Sequence, residues 1–311
     1  MTGYVRTYNG KTYELPTLFS WEFSYADGEP CDAFEVEFGY VPGMREILSD
    51  AVGFYAEHEG ERVFTGVVDE FEATASGTGR TVALHGRSPA ALLLDNEAEA
   101  ADYYGVTLRY ILEKHVIPYG VTDISVGEAG KAETFSVASG TSQWKVLSDF
   151  CRFCCGVQPR FSRSGTLLLT GEKGQKRVLD YDNMVSRQTW RETRYGELSA
   201  VLVKNRVLGL TSWVKNEDFL SRGGCCTRVV NVPRNQYYDR MRYTGEYQIG
   251  QSKKDKRVCT VTLPVMFAAF PEDTVELKWN PLEIYGTFRV TGAVCRGGSR
   301  GAETVLSLEE K

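Results

Sequence analysis

The chain is poor in histidine and has no long apolar segment. Only three of its 311 residues are histidines, namely His58, His85 and His115, which limits metal binding and acid–base catalysis. No run of about 18 apolar residues occurs, so the sequence predicts no transmembrane helix. Residues 1–13 carry two cations but no apolar stretch, and we therefore expect no secretion signal.

Several catalytic patterns are also missing. The sequence has no Gly-x-Ser-x-Gly elbow and no His-Glu-x-x-His zinc motif. Among the cysteines, only Cys31 precedes a histidine, and it lies in a turn after Pro30 rather than at a helix N-terminus that would lower its pKa. His115 falls on an apolar helix face, which is typical of a core residue. We therefore predict no catalytic residue, no cofactor and no enzymatic activity.

The eight cysteines leave three interpretations open. Without a secretion signal, reduced thiols are the simplest. A zinc site with four thiolates would combine cysteines 151, 154 or 155 with Cys225 and Cys226, and a disulfide is the third possibility. Cys151 and Cys154 lie on the apolar stripe of a predicted helix, where cysteine behaves as a small hydrophobic residue. We therefore favour buried thiols and predict no metal.

The two halves of the chain carry opposite charge. Residues 1–150 hold 10 Lys and Arg against 24 Asp and Glu, a formal charge of −14. Residues 151–311 hold 26 against 17, a charge of +9, so the net charge is only −5. Oppositely charged surfaces attract each other, so we expect the halves to meet complementary partners, which include each other. The negative total disfavours tight binding to nucleic acid.

Residues 1–87 read as short strands and turns. Asn9-Gly10 separates two strand-like runs, which is the strongest short-range signal for a hairpin. Aromatic residues alternate with polar ones from Phe19 to Tyr25 and again near Phe34, a period of two that predicts strands. Further strand patterns cover residues 52–58, 63–73 and 81–85. Six or seven such strands can close a small barrel or sandwich.

Helical patterns follow in the middle of the chain. Ser88 is placed to cap a short first helix, and a second helix starts at Thr107. A third helix starts at residue 141 or 142 and ends at Gly156. Two short strand patterns, at residues 158–162 and 166–170, complete this part.

The last part of the chain returns to β patterns. Strands are predicted at residues 199–204, 227–232, 259–263, 274–279, 285–294 and 304–308, with loops at 215–224 and 248–257. The predicted fold is mainly β with an α+β insert. It comprises two related antiparallel β-barrel domains, residues 1–87 and 181–311, that flank a helix-containing module of residues 88–180.

Two segments can be aligned at an offset of 222–223 residues. Residues 52–85 read as strand, turn, strand, Gly-rich turn and strand, and residues 275–308 repeat this order. The Gly-rich turns at residues 76–80 and 297–301 correspond. We interpret this as two copies of one β domain, with unrelated β domains as the alternative.

Four segments resemble the baseplate hub proteins of contractile phage tails and related injection particles, the late control protein D family that includes the phage Mu hub. They are RVFTGVVDE (residues 62–70), HGRSPAALLLD (85–95), GTSQWKVL (140–147) and RFSRSGTLLL (160–169). Residues 181–270 contribute little to the resemblance. It implies two related barrels per chain, and a homotrimer with six similar barrels around a central channel.

Such a trimer would adapt a sixfold tail tube to a threefold spike, with the tube protein and the spike protein as partners. DNA or a tape measure would pass through the channel without specific binding. The chain would be made in the bacterial cytoplasm and would become part of the baseplate of a virion or tail-like particle. In the trimer, each acidic barrel would neighbour a basic one.

Six residues are candidates for the interfaces of this assembly: Asp69, Glu70, Lys253, Lys254, Lys256 and Arg257. The basic run has no flanking aromatic platform for nucleic acid, so we expect it to contact an acidic protein face. Asp69 and Glu70 are interpreted as solvated carboxylates at a strand end rather than as a glycosidase pair. Two other functions remain open, a tail-associated cell-wall hydrolase and a carbohydrate-binding module, since 5 Trp and 17 Tyr permit a sugar platform.

Overall fold

The structure, a computed structural model, describes residues 1–127, 129–170, 174–179, 185–232, 238–278 and 281–310. Strands dominate and the predicted helical insert is present, which confirms the mainly β fold. None of the described helices has the length and apolarity needed to cross a membrane. The predicted boundary at residue 180 lies outside the described residues, as does Trp279 at the end of a predicted strand.

Seven strands and one short helix form the first part of the chain. They are β1 (Thr2–Thr7), β2 (Thr12–Glu14), β3 (Leu18–Ala26), β4 (Ala33–Gly39), α1 (Met44–Ser49), β5 (Ala51–His58), β6 (Glu61–Ser76) and β7 (Gly79–Arg87). The predicted hairpin is confirmed, since β1 and β2 pair antiparallel and Gly10 has the positive φ of 82° that such a turn requires. Helix α1 was not predicted.

The middle of the chain combines helices with short strands around a core of its own. The elements are α2 (Ala91–Leu94), β8 (Ala101–Thr107), α3 (Leu108–His115), β9 (Ile124–Val126), β10 (Lys131–Val137), α4 (Gln143–Phe150), β11 (Arg160–Phe161) and β12 (Leu167–Leu169). A π-helical turn, Cys151–Cys155, continues α4 to Gly156, whose φ of 67° ends it as predicted.

Two of the three predicted helix starts are confirmed. The hydroxyl of Thr107 accepts a hydrogen bond from the Tyr110 amide, and the hydroxyl of Ser142 accepts one from the Lys145 amide. Ser88 does not cap α2 with its side chain. Its hydroxyl accepts a hydrogen bond from the Asp32 amide at 3.2 Å, because Ser88 is buried against the turn before β4.

The last part contains nine strands and two helices. They are β13 (Lys176–Leu179), β14 (Arg187–Glu192), β15 (Ala200–Asn205), β16 (Leu210–Lys215), α5 (Glu217–Ser221), β17 (Thr227–Asn231), α6 (Tyr238–Lys253), β18 (Arg257–Leu263), β19 (Thr274–Leu277), β20 (Thr287–Gly298) and β21 (Gly301–Glu310). The loop predictions for residues 215–224 and 248–257 were therefore wrong, because these residues include α5 and the end of α6.

Strands from both ends of the chain form one sheet. Its order is β14-β18-β21-β20-β3-β4-β7-β6-β5-β1-β2, with β13 and β19 attached beside β20. The junction is an antiparallel pairing of β20 with β3, from Gly292 opposite Ala26 to Gly298 opposite Ser20. One hydrophobic core, with buried residues such as Phe54 and Phe288, accompanies this sheet.

The predicted repeat recurs in the register of the sheet. Phe71 of β6 lies opposite Leu84 of β7, and 222 residues later Ala293 of β20 lies opposite Leu306 of β21. Both strand pairs shift register at the same point, after residue 68 in one and after residue 290 in the other. A bulge adds one unpaired residue, so its recurrence at the same place is a specific match. We call β3, β4, β6 and β7 the first unit and β14, β18, β20 and β21 the second unit.

Candidate interaction surfaces

Asp69 occupies the bulge of β6 and is held by an arginine. Nε of Arg87 donates to Oδ2 of Asp69 at 2.6 Å, and Nη2 donates to Oδ1 at 2.9 Å. The same Nη2 also donates to Oδ2 of Asp95 at 2.7 Å. Hydrogen bonding to Arg87 lowers the pKa of Asp95, and the bonds to both carboxylates raise the pKa of Arg87. Asp69 therefore links the first unit to the residues that follow α2.

Glu70 is exposed and begins a stretch of β6 with a free edge. In the described part of the chain, residues 70–76 pair only with β7, because β5 pairs with residues 61–67. All side chains of this stretch except Phe71 are exposed. We call residues 70–76 the β6 edge.

A second free edge lies at the other end of the row of strands. Within the described residues, β14 pairs only with β18, and its other side has no strand partner. Gln188 and Trp190 are half-buried, and Trp190 packs against the main core, whereas Arg187, Thr189 and Arg191 are exposed. We call residues 187–192 the β14 edge. The sequence analysis missed this strand.

The predicted basic run joins the end of α6 to the start of β18. Lys253 and Lys254 are exposed, but Nζ of Lys256 donates to the carbonyl of Tyr195 at 2.7 Å. Arg257 lies 3.4 Å from a carboxylate oxygen of Glu192.

Around this run the surface forms a cleft of about 490 Å³ with mixed charge. Its charged residues are Glu197, Asp218, Arg222, Lys253, Lys254, Lys256, Arg257, Glu309 and Glu310. Carboxylates therefore offset the cations, which disfavours the capture of a polyanion.

The six candidate residues do not come together within one chain. Asp69 and Glu70 lie on β6 and the basic run borders β18, and in the sheet the strands β21, β20, β3, β4 and β7 separate them. A direct contact between the acidic and the basic group would therefore require a second copy of the chain.

Buried groups that could act in catalysis are protonated or already bonded. Nδ1 of His115 lies 2.7 Å from Oε1 of Gln143 and Nε2 lies 3.1 Å from the hydroxyl of Tyr103, so His115 is a satisfied core residue, as predicted. Burial lowers the pKa of this imidazole. Burial also raises the pKa of Cys31 to about 11 and that of Cys151 to about 12, which keeps both thiols protonated at neutral pH.

The cysteines form neither disulfides nor a metal cluster in the described structure. All eight are free thiols, and Cys225 and Cys226 are exposed, whereas Cys151 is buried. Among the described residues, no group of three or more His, Cys, Asp or Glu side chains is arranged to hold a metal ion.

A second cleft, of about 500 Å³, lies between the first unit and residues 156–177. Asp32 lines it together with Arg160, Arg163 and Asp273. Burial raises the pKa of Asp32 from 3.8 to about 6, although Arg160 acts in the opposite direction. The sequence gave no signal for this group, because the cleft is formed by residues from three distant segments.

Comparison with solved structures identifies proteins of the same fold. The tail protein from Neisseria meningitidis MC58 has a TM-score of 0.80 and 17% identity, and the match covers 100% of this chain and 96% of that one. The 43 kDa tail protein of prophage MuSo2 from Shewanella oneidensis has a TM-score of 0.79 and 16% identity, with coverage of 100% and 98%. No family model matches the sequence, and no curated protein matches it.

A third similar structure comes from a secretion system. The Escherichia coli c3393 protein is described as a component of the type VI secretion system with structural similarity to the bacteriophage T4 tail proteins gp27 and gp5. Its TM-score is 0.60 at 11% identity, with coverage of 94% of this chain and 73% of that one. The resemblance to hub proteins is thus confirmed at the level of the fold.

Proposed function

We propose that the chain is a structural subunit of the baseplate hub of a contractile tail or injection particle. It forms a homotrimer that adapts a sixfold tail tube to a threefold spike around a central channel. The observation that carries the proposal is the match of fold to two tail proteins over the whole chain. The partners would be the tail tube protein and the spike protein, and the chain would be made in the bacterial cytoplasm.

The repeat supports the role in symmetry adaptation. Each chain contains two four-strand units with the same register and the same bulge. Three chains would therefore present six similar units to a sixfold partner, while the segments that are not repeated would present threefold features to the spike. The middle of the chain, with its separate core, is one such segment.

The charge distribution supports an alternating ring. The acidic half contains the first unit and the basic half contains the second unit. In a trimer each unit would have the other type as its neighbour, which makes the interfaces electrostatically complementary. DNA or a tape measure would pass through the channel without being bound.

The proposed role requires no catalysis. The raised pKa values of Cys31 and Cys151 and the bonded ring of His115 support a chain without a catalytic nucleophile. A zymogram on cell-wall material and a pull-down with glycans test the two alternative functions, and we expect both to be negative.

Light scattering coupled to size exclusion tests the trimer. At about 0.05 M salt we expect three chain masses, and at about 1 M, where the Debye length falls to about 3 Å, we expect partial dissociation. Negative-stain images of the low-salt sample should show a ring with a central pore. A chain that stays monomeric at low salt would contradict the proposal, and a trimer indifferent to salt would contradict the electrostatic part of it.

A further inference from the structure

The chain pairs its two units internally through one kind of contact and leaves both strands of the same contact free at its ends. Inside the chain, β20 of the second unit pairs with β3 of the first unit over seven residue pairs. The β6 edge and the β14 edge each lack a partner on one side in the described part of the chain. Unpaired strand edges with exposed amides and carbonyls favour pairing with another strand.

These two free edges are the structural counterparts of the paired ones. β6 corresponds to β20, since both pair with the last strand of their unit in the same register at an offset of 222 residues. β14 corresponds to β3, because Trp190 lies opposite Cys259 as Phe23 lies opposite Phe34. In turn, Cys259 and Phe34 lie opposite Leu308 and Gly86, which are equivalent positions.

We propose that the β6 edge of one chain pairs antiparallel with the β14 edge of a second copy. Transferring the internal register places Glu72 opposite Arg191, Ala73 opposite Trp190 and Ala75 opposite Gln188. The inference rests on the proposed homotrimer and adds the strands and the register of its interface. Three such contacts would join the strands from β14 to β6 of all chains into one closed sheet.

The side chains on the core face fit this register. In the internal contact, small residues lie opposite aromatic ones, with Cys295 opposite Phe23 and Gly297 opposite Trp21. The Trp21 ring fills the space of a Gly297 side chain, since an added Cβ would lie 2.3 Å from it. In the proposed contact, the small exposed Ala73 faces Trp190, and Ala75 faces the narrower Gln188. Small residues thus again lie opposite large ones.

The charges on the other face fit as well. Arg296 and Glu22 lie opposite each other in the internal contact, and Glu22 helps to raise the pKa of Arg296. In the proposed contact, an opposite-charge pair recurs as Glu72 and Arg191. Cross-strand pairs of opposite charge stabilise a sheet, and like charges in the same place destabilise it.

Cysteine cross-linking tests the register directly. The full chain with Cys225→Ser and Cys226→Ser would carry Glu72→Cys and Arg191→Cys, and mild oxidation should give covalent dimers and trimers on a non-reducing gel. The matched control combines Thr74→Cys with Arg191→Cys, which lie two residues out of register and should not cross-link. Equal cross-linking of both variants would overturn the register. A trimer by light scattering that cross-links in neither variant would overturn the strand pairing while leaving the hub proposal intact.

A charge exchange tests the same pair without cysteines. Glu72→Arg and Arg191→Glu should each raise the protein concentration at half-assembly by about tenfold or more, since the change acts at all three interfaces. The double variant should restore assembly, and Glu133→Arg on an exposed strand of the middle segment should leave it unchanged. Absence of rescue, or equal loss in the Glu133 variant, would overturn the pairing. A chain that is monomeric in every form would overturn the hub trimer and the pairing together.

Discussion

Asp32 lies beside the cleft between the first unit and the middle segment, where it has lost most of its hydration. Burial raises its pKa from 3.8 to about 6. Between these two pH values the unfolded chain releases the proton while the folded chain retains it, so stability falls as the pH rises. Above about pH 6 the full cost of the buried charge remains, at most about 3 kcal/mol.

The variant Asp32→Asn should therefore stabilise the protein at neutral pH. We expect a gain of roughly 1–3 kcal/mol at pH 7.5 that shrinks toward zero at about pH 4, where the wild-type carboxyl is protonated in both states. Denaturant unfolding at both pH values measures this difference. A gain of equal size at both would show that the charge is not its cause. Asp123→Asn, at an exposed position, serves as the control.

Single residues show what the sequence could and could not predict. The caps at Thr107 and Ser142 follow from local rules and were predicted, since a cap involves neighbours in the chain. The partner of Asp69 lies 18 residues away and that of Lys256 lies 61 residues away. Such contacts depend on the tertiary fold, so the sequence displayed the charges without their partners.

At the scale of elements, helix α6 shows how close packing can hide a helix from sequence analysis. Its buried residues Met241, Gly245 and Ile249 follow each other at four-residue spacing, but only two of them are hydrophobic side chains. Gly245 lets the helix approach β15 and β16, since an added Cβ would lie 2.4 Å from Cγ2 of Val214. A glycine in the apolar stripe weakens the periodic signal on which the prediction depends.

Two glycines of α6 should respond in opposite directions to the same substitution. Gly245→Ala should destabilise the protein by about 1–3 kcal/mol, because the clash with Val214 outweighs the gain in helix propensity. Gly250→Ala should stabilise it by up to about 1 kcal/mol, because no atom lies within 4 Å of the added Cβ. Thermal unfolding of both variants checks the pair. A stabilising Gly245→Ala would show that the helix can move away from the sheet.

Strand β14 was missed for a related reason. Its sequence, RQTWRE, contains one apolar residue and charged side chains on the exposed face. Central strands such as β4, with Phe34, Val36 and Phe38 buried, show the clear alternation that the sequence analysis used. An edge strand lacks a neighbour that would bury it, so its pattern is weak until a partner is considered.

For the whole molecule, the pairing of β3 with β20 joins residues that are more than 260 positions apart, with Ala26 opposite Gly292 among them. Local periodicity predicts both strands but not their pairing, because it carries no information on which strands become neighbours. The repeat predicted that the two β regions share a fold. It did not predict that they share one sheet and one core, while residues 90–169 have another.

This arrangement predicts how the molecule responds to a cavity. Phe288→Ala removes a ring that is 1% exposed in the shared core, a change that costs roughly 3–5 kcal/mol. Hydrogen exchange should then accelerate in the strands of both units, including β3 to β7, whereas the middle segment should retain more of its protection. Leu147→Ala, in the core of the middle segment, should show the reverse pattern. If Phe288→Ala accelerated exchange only in residues 185–310, the two units would be separate folding domains. The contact between β3 and β20 would then be a docking of finished units, as the β6 and β14 edges are proposed to be between chains.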